Sequence, residues 1–281
     1  MRKLLHLFLR IQGAIQKLLR MIRGKTAQDI SDKRIVTGQA RAEFCDHLKA
    51  AGNVLLSPGA PDDPMQQAEG VRYLSRLTRA GLEAYLEYQD PMYPQLRRMV
   101  HETLKMGADN PDNHYQNAQI SGRYSYKMVG KRNPVDHISF HTQNGNYGTT
   151  GGLAPCGKIS NHELVVEEDG SFEVSLCKEP EGKNWLKIED ETSLLMVRQT
   201  FADRMKEIPA ELRVINTMVD QKPGALSTTQ VDEGLKTASM FVGGASLLFA
   251  RWARGFKKHV NQLPLFDPET SNAAGGDESI I

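Results

Sequence analysis

The spacing of apolar residues changes near residue 107, and this change limits the chain to folds that keep helices and strands in separate regions. Before it, apolar side chains recur at the spacing of one helix face. After it, they alternate with polar ones, as in a half-buried strand. Helical spacing returns from residue 228. The pattern predicts an α+β protein with N-terminal helices, an antiparallel β-sandwich and a long C-terminal helix.

The same pattern divides the chain. The predicted regions are 1–27 (a basic amphipathic helix), 28–106 (helical), 107–220 (β-sandwich), 228–262 (a helix) and 263–281 (a tail). Within the helical region, one helix is predicted over 35–51. A second is predicted to begin after Asp63, which can accept a capping hydrogen bond, with Pro64 at the first helical position. A short third helix is predicted over 96–106, ending at Gly107.

An Asp169-Gly170 pair between two alternating segments is the strongest turn signal of the β region. Asp-Gly supplies the positive φ angles of a tight hairpin turn, so residues 163–167 are expected to pair with 171–176. Five or six short strands separated by turn signals favour an antiparallel sandwich. Further strands are predicted over 118–129, 135–143, 193–201 and 211–217.

The first 27 residues carry seven Lys or Arg residues, and no acid occurs before Asp29. Their apolar residues fall on one broad face of a helix, opposite most of the cations. Basic residues interrupt the apolar run, so the segment is too short to span a bilayer and unlike a secretory signal. Residues 1–25 are therefore predicted to bind an anionic membrane surface. The alternative is a helix packed on the protein's own body.

Charge and cysteine content exclude several classes of protein. The chain has 35 Lys and Arg against 34 Asp and Glu, so no nucleic-acid partner is predicted. Its three cysteines show no Cys-x-x-Cys spacing, which argues against a disulfide scaffold and a zinc site. We predict no metal and no cofactor. The expected location is cytoplasmic, with peripheral attachment to the inner membrane.

Ten motifs recur along the chain in a recognisable order: Phe44-Cys45-Asp46-His47-Leu48, Pro58 to Pro64, Gly107 to Tyr115, Gly122-Arg123, Gly145-Asn146-Tyr147-Gly148, Gly151-Gly152, Asn184-Trp185-Leu186, Thr192-Ser193-Leu194, Val197 to Phe201, and Arg204 with Glu207. Together they resemble bacterial proteins that carry the domain of unknown function numbered 1214. The resemblance covers most of residues 38–218, and it implies a jelly-roll-like β-sandwich beside helices and no established reaction. Members of that family continue with further strands past the point that corresponds to Ile281, so this chain is expected to lack the C-terminal part and to associate.

The densest polar cluster opens the β region. Its structural interpretation is a turn held by Asp and Asn side chains around Pro111. Its functional interpretation is a polar wall of a pocket at one end of the sandwich, with the Gly145–Gly152 loop beside it. The candidate catalytic residues are Asp112 or His114 as general base and Arg123 as a group that orients an anionic or carbonyl group. The candidate ligand-binding residues are Asp109, Asn110, Asn113, Tyr115, Asn146 and Tyr147.

Three polar residues, His137, Ser139 and His141, share one face of a predicted strand. The two histidines lie about 13 Å apart at ~3.3 Å per residue, which is too far for one metal ion. We expect this face to be solvated.

The sequence leaves two functions open, and it does not decide whether the protein is an enzyme. The first is binding or conversion of a small lipid-like molecule at the membrane surface, through the predicted pocket. The alternative is a non-catalytic, membrane-associated module that binds other proteins. In either case, the chain is expected to form a homo-oligomer.

Overall fold

The computed structural model describes residues 26–107, 109–148, 150, 152–219 and 222–262. The predicted membrane-binding segment 1–25 and the tail 263–281 lie outside these residues. The helices are α1 (Ala27–Val36), α2 (Gln39–Gly52), α3 (Pro64–Leu82) and α4 (Thr228–Phe256), with a 3-10 turn at Asn53–Leu56 and a π turn at Glu83–Glu87. The strands are β1 (Asn113–Gln119), β2 (Tyr126–Lys131), β3 (His137–Asn146), β4 (Gly152–Ser160), β5 (Ser171–Cys177), β6 (Trp185–Lys187), β7 (Thr192–Thr200) and β8 (Glu211–Asn216).

The described strands form two four-stranded sheets. Their orders are β1-β7-β3-β4 and β6-β5-β2-β8, with every pair antiparallel except β5 and β6. Ile138, Phe140 and Leu195 of the first sheet and Met128 and Val174 of the second are buried in one apolar core. The predicted α+β sandwich with a long C-terminal helix is confirmed. The jelly-roll arrangement implied by the resemblance is not confirmed by this order of strands.

The predicted start of α3 matches the structure, because its capping bond joins residues that are close in sequence. The Asp63 carboxylate accepts a hydrogen bond from the Gln66 N–H at 3.0 Å, and Pro64 begins α3 as predicted. The predicted helix over 35–51 is instead two helices, since Gly38 adopts a φ of 73° between them. This φ lies in the left-handed region, which glycine enters without steric cost.

The short helix predicted over 96–106 is wrong. Arg97 forms a two-way backbone bridge with Asn117, in which each N–H lies 2.8 Å from the partner's carbonyl oxygen. His101 and Leu104 bridge each other in the same way, at 3.0 and 3.1 Å. The backbone groups that a helix would use are therefore bonded across a turn and to the edge of β1.

At Asp169-Gly170 the predicted turn forms, but the predicted pairing of strands on either side of it is wrong. The turn itself forms, with Gly170 at a φ of 82° and one bond from the Glu167 N–H to the Ser171 carbonyl at 2.8 Å. Residues 164–167 are not a strand, and β5 pairs with β2 and β6 instead. The buried Asn184 amide bonds both backbone groups of Val165, at 2.7 and 2.9 Å. These bonds replace the ladder that the alternating pattern predicted.

The helices form a second layer with its own apolar core. Leu77, Ala80, Leu104, Phe241 and Ala245 are buried there, and α4 packs against α1, α2 and α3. In the described part of the chain, no helix is both long enough and apolar enough to cross a membrane.

A close backbone contact joins the helical layer to the sandwich. A Cβ atom placed on Gly244 of α4 would lie 2.1 Å from the Tyr147 carbonyl oxygen, so only glycine allows this approach. The β3–β4 connection therefore rests directly on α4. The Tyr147 ring packs beside Phe241 and Phe249, with centroid distances of 6.0 and 5.8 Å.

Candidate functional site

The polar cluster at 109–115 is held together by bonds among its own members. The Asn110 side-chain oxygen accepts a bond from the Asp112 N–H at 2.8 Å, which closes an Asx turn around Pro111. The Tyr115 hydroxyl accepts bonds from the Asn110 N–H and the Asn113 amide, both at 3.0 Å. These contacts support the structural interpretation of the cluster.

The proposed acid–base residues are not assembled into one site. Asp112 is exposed, and its carbonyl accepts the Phe201 N–H at 3.1 Å. Arg123 follows the opposite end of β1 from His114, and the β1 residues between them span roughly 16 Å. The Arg123 Nε lies 3.4 Å from the Ser121 hydroxyl, and its guanidinium lies 5.9 Å from the Tyr124 ring centroid.

The acid–base candidate His114 lies in an environment that perturbs its pKa. It is half-buried, and burial lowers its pKa below 6.5, with further lowering by the positive charges of Arg98 and Arg204. A neutral imidazole can accept a proton at neutral pH. The sequence did not connect Arg98 or Arg204 with His114.

The ligand-binding candidates Asn146 and Tyr147 lie away from the rest of the polar turn. Asn144 pairs with Thr192 and Asn113 pairs with Thr200, so the β3–β4 connection and the turn adjoin opposite ends of β7. The Asn146 N–H donates to the Thr150 hydroxyl at 2.8 Å. Burial raises the pKa of Tyr147 to about 12, consistent with its place among the aromatic rings of the helical layer.

Asp109 and Tyr147 both influence the pKa of Tyr73 of α3. Burial raises the pKa of Tyr73, and the electrostatic effects of Tyr147 and Asp109 raise it further. The Asp109 carboxylate accepts a bond from the Lys105 ammonium at 3.0 Å, and its side chain is only 9% exposed. Tyr73 and Tyr147 both pack against the core of the helical layer.

The solvated face predicted for β3 is wrong for two of its three residues. Ser139 and His141 are each only 6% exposed, and the His141 Nε2 lies 3.0 Å from the Ser139 hydroxyl. The helical layer packs on this sheet, since Tyr85 of the π turn bonds Gln119 of β1, which is separated from β3 by β7. Strand alternation shows which residues share a face and does not show what packs on it.

The largest cavity near Tyr73 is a groove between helices, here called the inter-helix groove. It holds about 410 Å³, within the range of small-molecule sites, and its walls are mostly apolar. It lies between the last turns of α4, the first turns of α3 and the loop after α2. Its lining residues are Val54, Leu55, Ser57, Gly59, Ala60, Pro61, Gln66, Gln67, Gly70, Tyr73, Leu74, Lys105, Gly107, Ser246, Phe249, Ala250, Ala253, Arg254 and Lys257.

The loop wall of the groove is fastened to α3 by one side chain. The Gln67 amide donates to the Leu55 carbonyl at 2.8 Å and also to the Pro61 carbonyl. Two bonds from one amide fix the loop without a covalent link. The loop wall of the groove is therefore held in place against α3.

The charged residues that line the groove are all positive. Lys105, Arg254 and Lys257 line it, and all three are exposed. The Lys105 ammonium is paired with the Asp109 carboxylate. Apolar walls with a few cations suit a molecule that has a hydrocarbon chain and a negative group. The sequence carries a weak signal for this, because basic residues crowd the end of α4, where they also suit the helix dipole.

The part of the chain that the structure describes assembles no group of side chains for metal binding. Among the described residues, no three His, Cys, Asp or Glu side chains lie close enough to hold a metal ion. Cys45, Cys156 and Cys177 are free. Burial raises the pKa of the Cys177 thiol, which lowers its reactivity.

No family model and no curated protein matches the chain. The chain is similar to the crystal structure of an uncharacterized protein from Burkholderia cenocepacia, with 42% identity, a TM-score of 0.79 and coverage of 81% of this chain. It spans 63% of that protein's length. The VPA0106 protein from Vibrio parahaemolyticus shares 16% identity, with a TM-score of 0.32 and coverage of 64% of this chain and 52% of that one. The Burkholderia protein thus shares the fold, and its description brings no activity.

Proposed function

We propose that the protein binds a small amphipathic anion, such as a long-chain carboxylate, in the inter-helix groove. The observation that carries this proposal is an apolar cavity of about 410 Å³ lined by three cations. The hydrocarbon chain would occupy the space between Leu74, Phe249 and Ala250, and the negative group would face Arg254 and Lys257. The proposal is binding without a chemical step.

Membrane attachment through residues 1–25 belongs to the same proposal. Seven cations without an acid favour an anionic surface, where each contributes about 1 kcal/mol at low salt. A lipid-like ligand would enter and leave from that surface. Sedimentation with vesicles containing anionic lipid should lose binding when residues 1–25 are deleted. Equal sedimentation of the shortened and full chains would remove the membrane part of the proposal and leave the groove untouched.

We also propose membership in the family of the domain numbered 1214. The proposal rests on the combination of Asp109-Asn110-Pro111-Asp112-Asn113 with Asn184-Trp185-Leu186. Both segments have a fixed structural task in this fold: one forms the Asx turn, and the other bonds Val165. A structure of an established member in which these two segments make different contacts would contradict the assignment.

Dodecanoate titrated into the full chain by calorimetry is the test of groove binding. Saturable binding is expected. The variant Ala250→Trp places an indole in the groove and should weaken binding by about a hundredfold, because it removes the space that several methylenes would occupy. The matched control is Leu247→Trp on the same helix, where the side chain is 61% exposed and outside the groove lining.

The outcomes separate the proposal from its alternative. Loss of binding in Ala250→Trp with binding kept in Leu247→Trp supports the groove. No saturable binding to the unchanged chain, or equal loss in both variants, contradicts it. The protein-interaction module would then be the better account of these helices.

A further inference from the structure

A second cavity, here called the arginine cleft, lies where α3 ends against the segment 96–102. It holds about 320 Å³ and is lined by Glu83, Leu96, Arg97, Arg98, His101 and Glu102. A cavity of about 20 Å³, room for one water molecule, adjoins it and is lined in part by Arg79. The arginine cleft shares no lining residue with the inter-helix groove.

The backbone of the arginine cleft is fixed before any ligand arrives. The bridge between Arg97 and Asn117 ties one end of the segment to β1. The bridge between His101 and Leu104 closes the other end, and Leu104 is buried in the helical core. Side chains on a braced segment can hold a ligand at little ordering cost.

The three arginines differ in how firmly they are engaged. Arg97 bonds Glu83 and stacks 4.2 Å over the Tyr88 ring, so it is a structural group. Arg98 pairs with Glu102 at 3.0 Å, but their side chains are 39% and 75% exposed, and such surface pairs are weak. Arg79 donates to the uncharged Thr103 hydroxyl at 3.2 Å. Arg98 and Arg79 can therefore turn to an anion.

His101 adds an uncharged donor. Its Nδ1 accepts the Thr103 N–H at 3.3 Å, so the neutral ring carries its proton on Nε2. Burial lowers the pKa of His101, and the positive charges of Arg79 and Arg98 lower it further. The two adjoining cavities are lined by three arginines and two glutamates, so their lining carries a net positive charge.

We propose that the arginine cleft binds a small phosphate group, either free or as a monoester, with Arg98 and Arg79 as guanidinium donors and Glu102 as the internal anion that phosphate displaces. The planar guanidinium matches two phosphate oxygens at once. A compact dianion gains more from two guanidinium groups than a single carboxylate does. This site is independent of the inter-helix groove, so either proposal can fail alone.

Calorimetric titration of the full chain with inorganic phosphate and with phenyl phosphate, at constant ionic strength, is the test. The variant Arg98→Gln should weaken binding by about tenfold, since a hydrogen-bonded charge partner is lost. The variant Glu102→Gln should strengthen binding severalfold because the competing carboxylate is gone. The matched control is Arg72→Gln, which breaks an exposed Arg–Glu pair on α3 outside the cleft.

Stronger phosphate binding by Glu102→Gln is the most discriminating result, because a general loss of structure cannot produce it. Tighter binding of phenyl phosphate than of phosphate assigns a monoester, and equal binding assigns the free ion. No saturable binding to the unchanged chain and to Glu102→Gln overturns the proposal. So does a loss in Arg72→Gln equal to that in Arg98→Gln, because binding would then follow net charge.

Discussion

The turn at 109–115 and the inter-helix groove use their polar groups in opposite ways. In the turn, Asn110, Asn113 and Tyr115 bond one another and hold a connection between segments. In the groove, Arg254 and Lys257 are exposed on an otherwise mostly apolar cavity. The turn has the higher density of polar residues in the sequence, yet Asn110, Asn113 and Tyr115 are already bonded to one another. Free capacity beside a cavity, rather than a high density of polar residues, therefore marks the candidate site.

Tyr147, a ligand-binding candidate in the sequence, is a structural contact between the two layers, and Gly244→Ala tests this contact with the largest expected effect. The added methyl group would meet the Tyr147 carbonyl oxygen at 2.1 Å, so the backbones must separate. We expect the free energy of unfolding to fall by about 3 kcal/mol, at the upper end for overpacked sites. Urea unfolding measures it.

The matched control for that substitution is the neighbouring Gly243→Ala. A Cβ at Gly243 meets nothing within 4 Å, and alanine favours a helix over glycine by up to about 1 kcal/mol. This variant should be unchanged or more stable. Equal destabilisation of the two variants would mean that the contact between α4 and Tyr147 is not what holds the layers together.

Tyr115→Phe separates stability from binding at the turn. It leaves the Asn110 N–H and the Asn113 amide without the hydroxyl that accepts their bonds. We expect a loss of about 1 kcal/mol, because water can reach part of this turn. The affinity for dodecanoate should stay the same. A large loss of affinity with little loss of stability would mean that the turn takes part in ligand binding.

Removal of the groove cations should change binding with little change in stability. Arg254→Gln with Lys257→Gln should weaken dodecanoate binding by about three- to tenfold at low salt, since both groups are exposed and screened. Binding of dodecanol, which has the same chain without the charge, should not change. The control pair is Lys236→Gln with Arg251→Gln, exposed cations of α4 outside the groove.

The smallest expected effect is a change in the pH dependence of stability at His114. Its folded pKa is lowered from 6.5, so the unfolded chain binds the proton more tightly. Stability from this group is therefore lost as the pH falls through 6.5 towards the folded pKa. His114→Asn should reduce the difference between urea midpoints at about pH 7.5 and pH 5.5. An unchanged difference would mean that other histidines, such as His101, account for it.

Signals whose partners lie nearby in sequence could be predicted, and signals with distant partners could not. The cap at Asp63 depends on Gln66, three residues away, and β7 follows from its own alternation. The strand before Asp169 fails because Asn184, nineteen residues after Val165, takes its backbone bonds. The helix after Leu96 fails because Asn117 pairs with Arg97.

The candidate site was even less accessible to sequence reasoning. The burial of His141 depends on a helical layer that strand alternation does not reveal. The groove combines the Pro58–Pro64 loop with the end of α4, nearly two hundred residues later. Its lining residues are mostly aliphatic or small, and such residues carry no chemical motif. Only the basic residues near Arg254 gave a signal, and helix dipoles explain these equally well.

The most direct test of groove binding is a calorimetric series of saturated carboxylates of increasing chain length. If the chain enters the groove, each added methylene should raise the affinity about fourfold until the cavity is full, corresponding to ~0.8 kcal/mol of buried hydrocarbon per methylene. The series should lose this dependence in Ala250→Trp and keep it in Leu247→Trp. An affinity that does not depend on chain length, or that depends on it equally in both variants, would contradict the account.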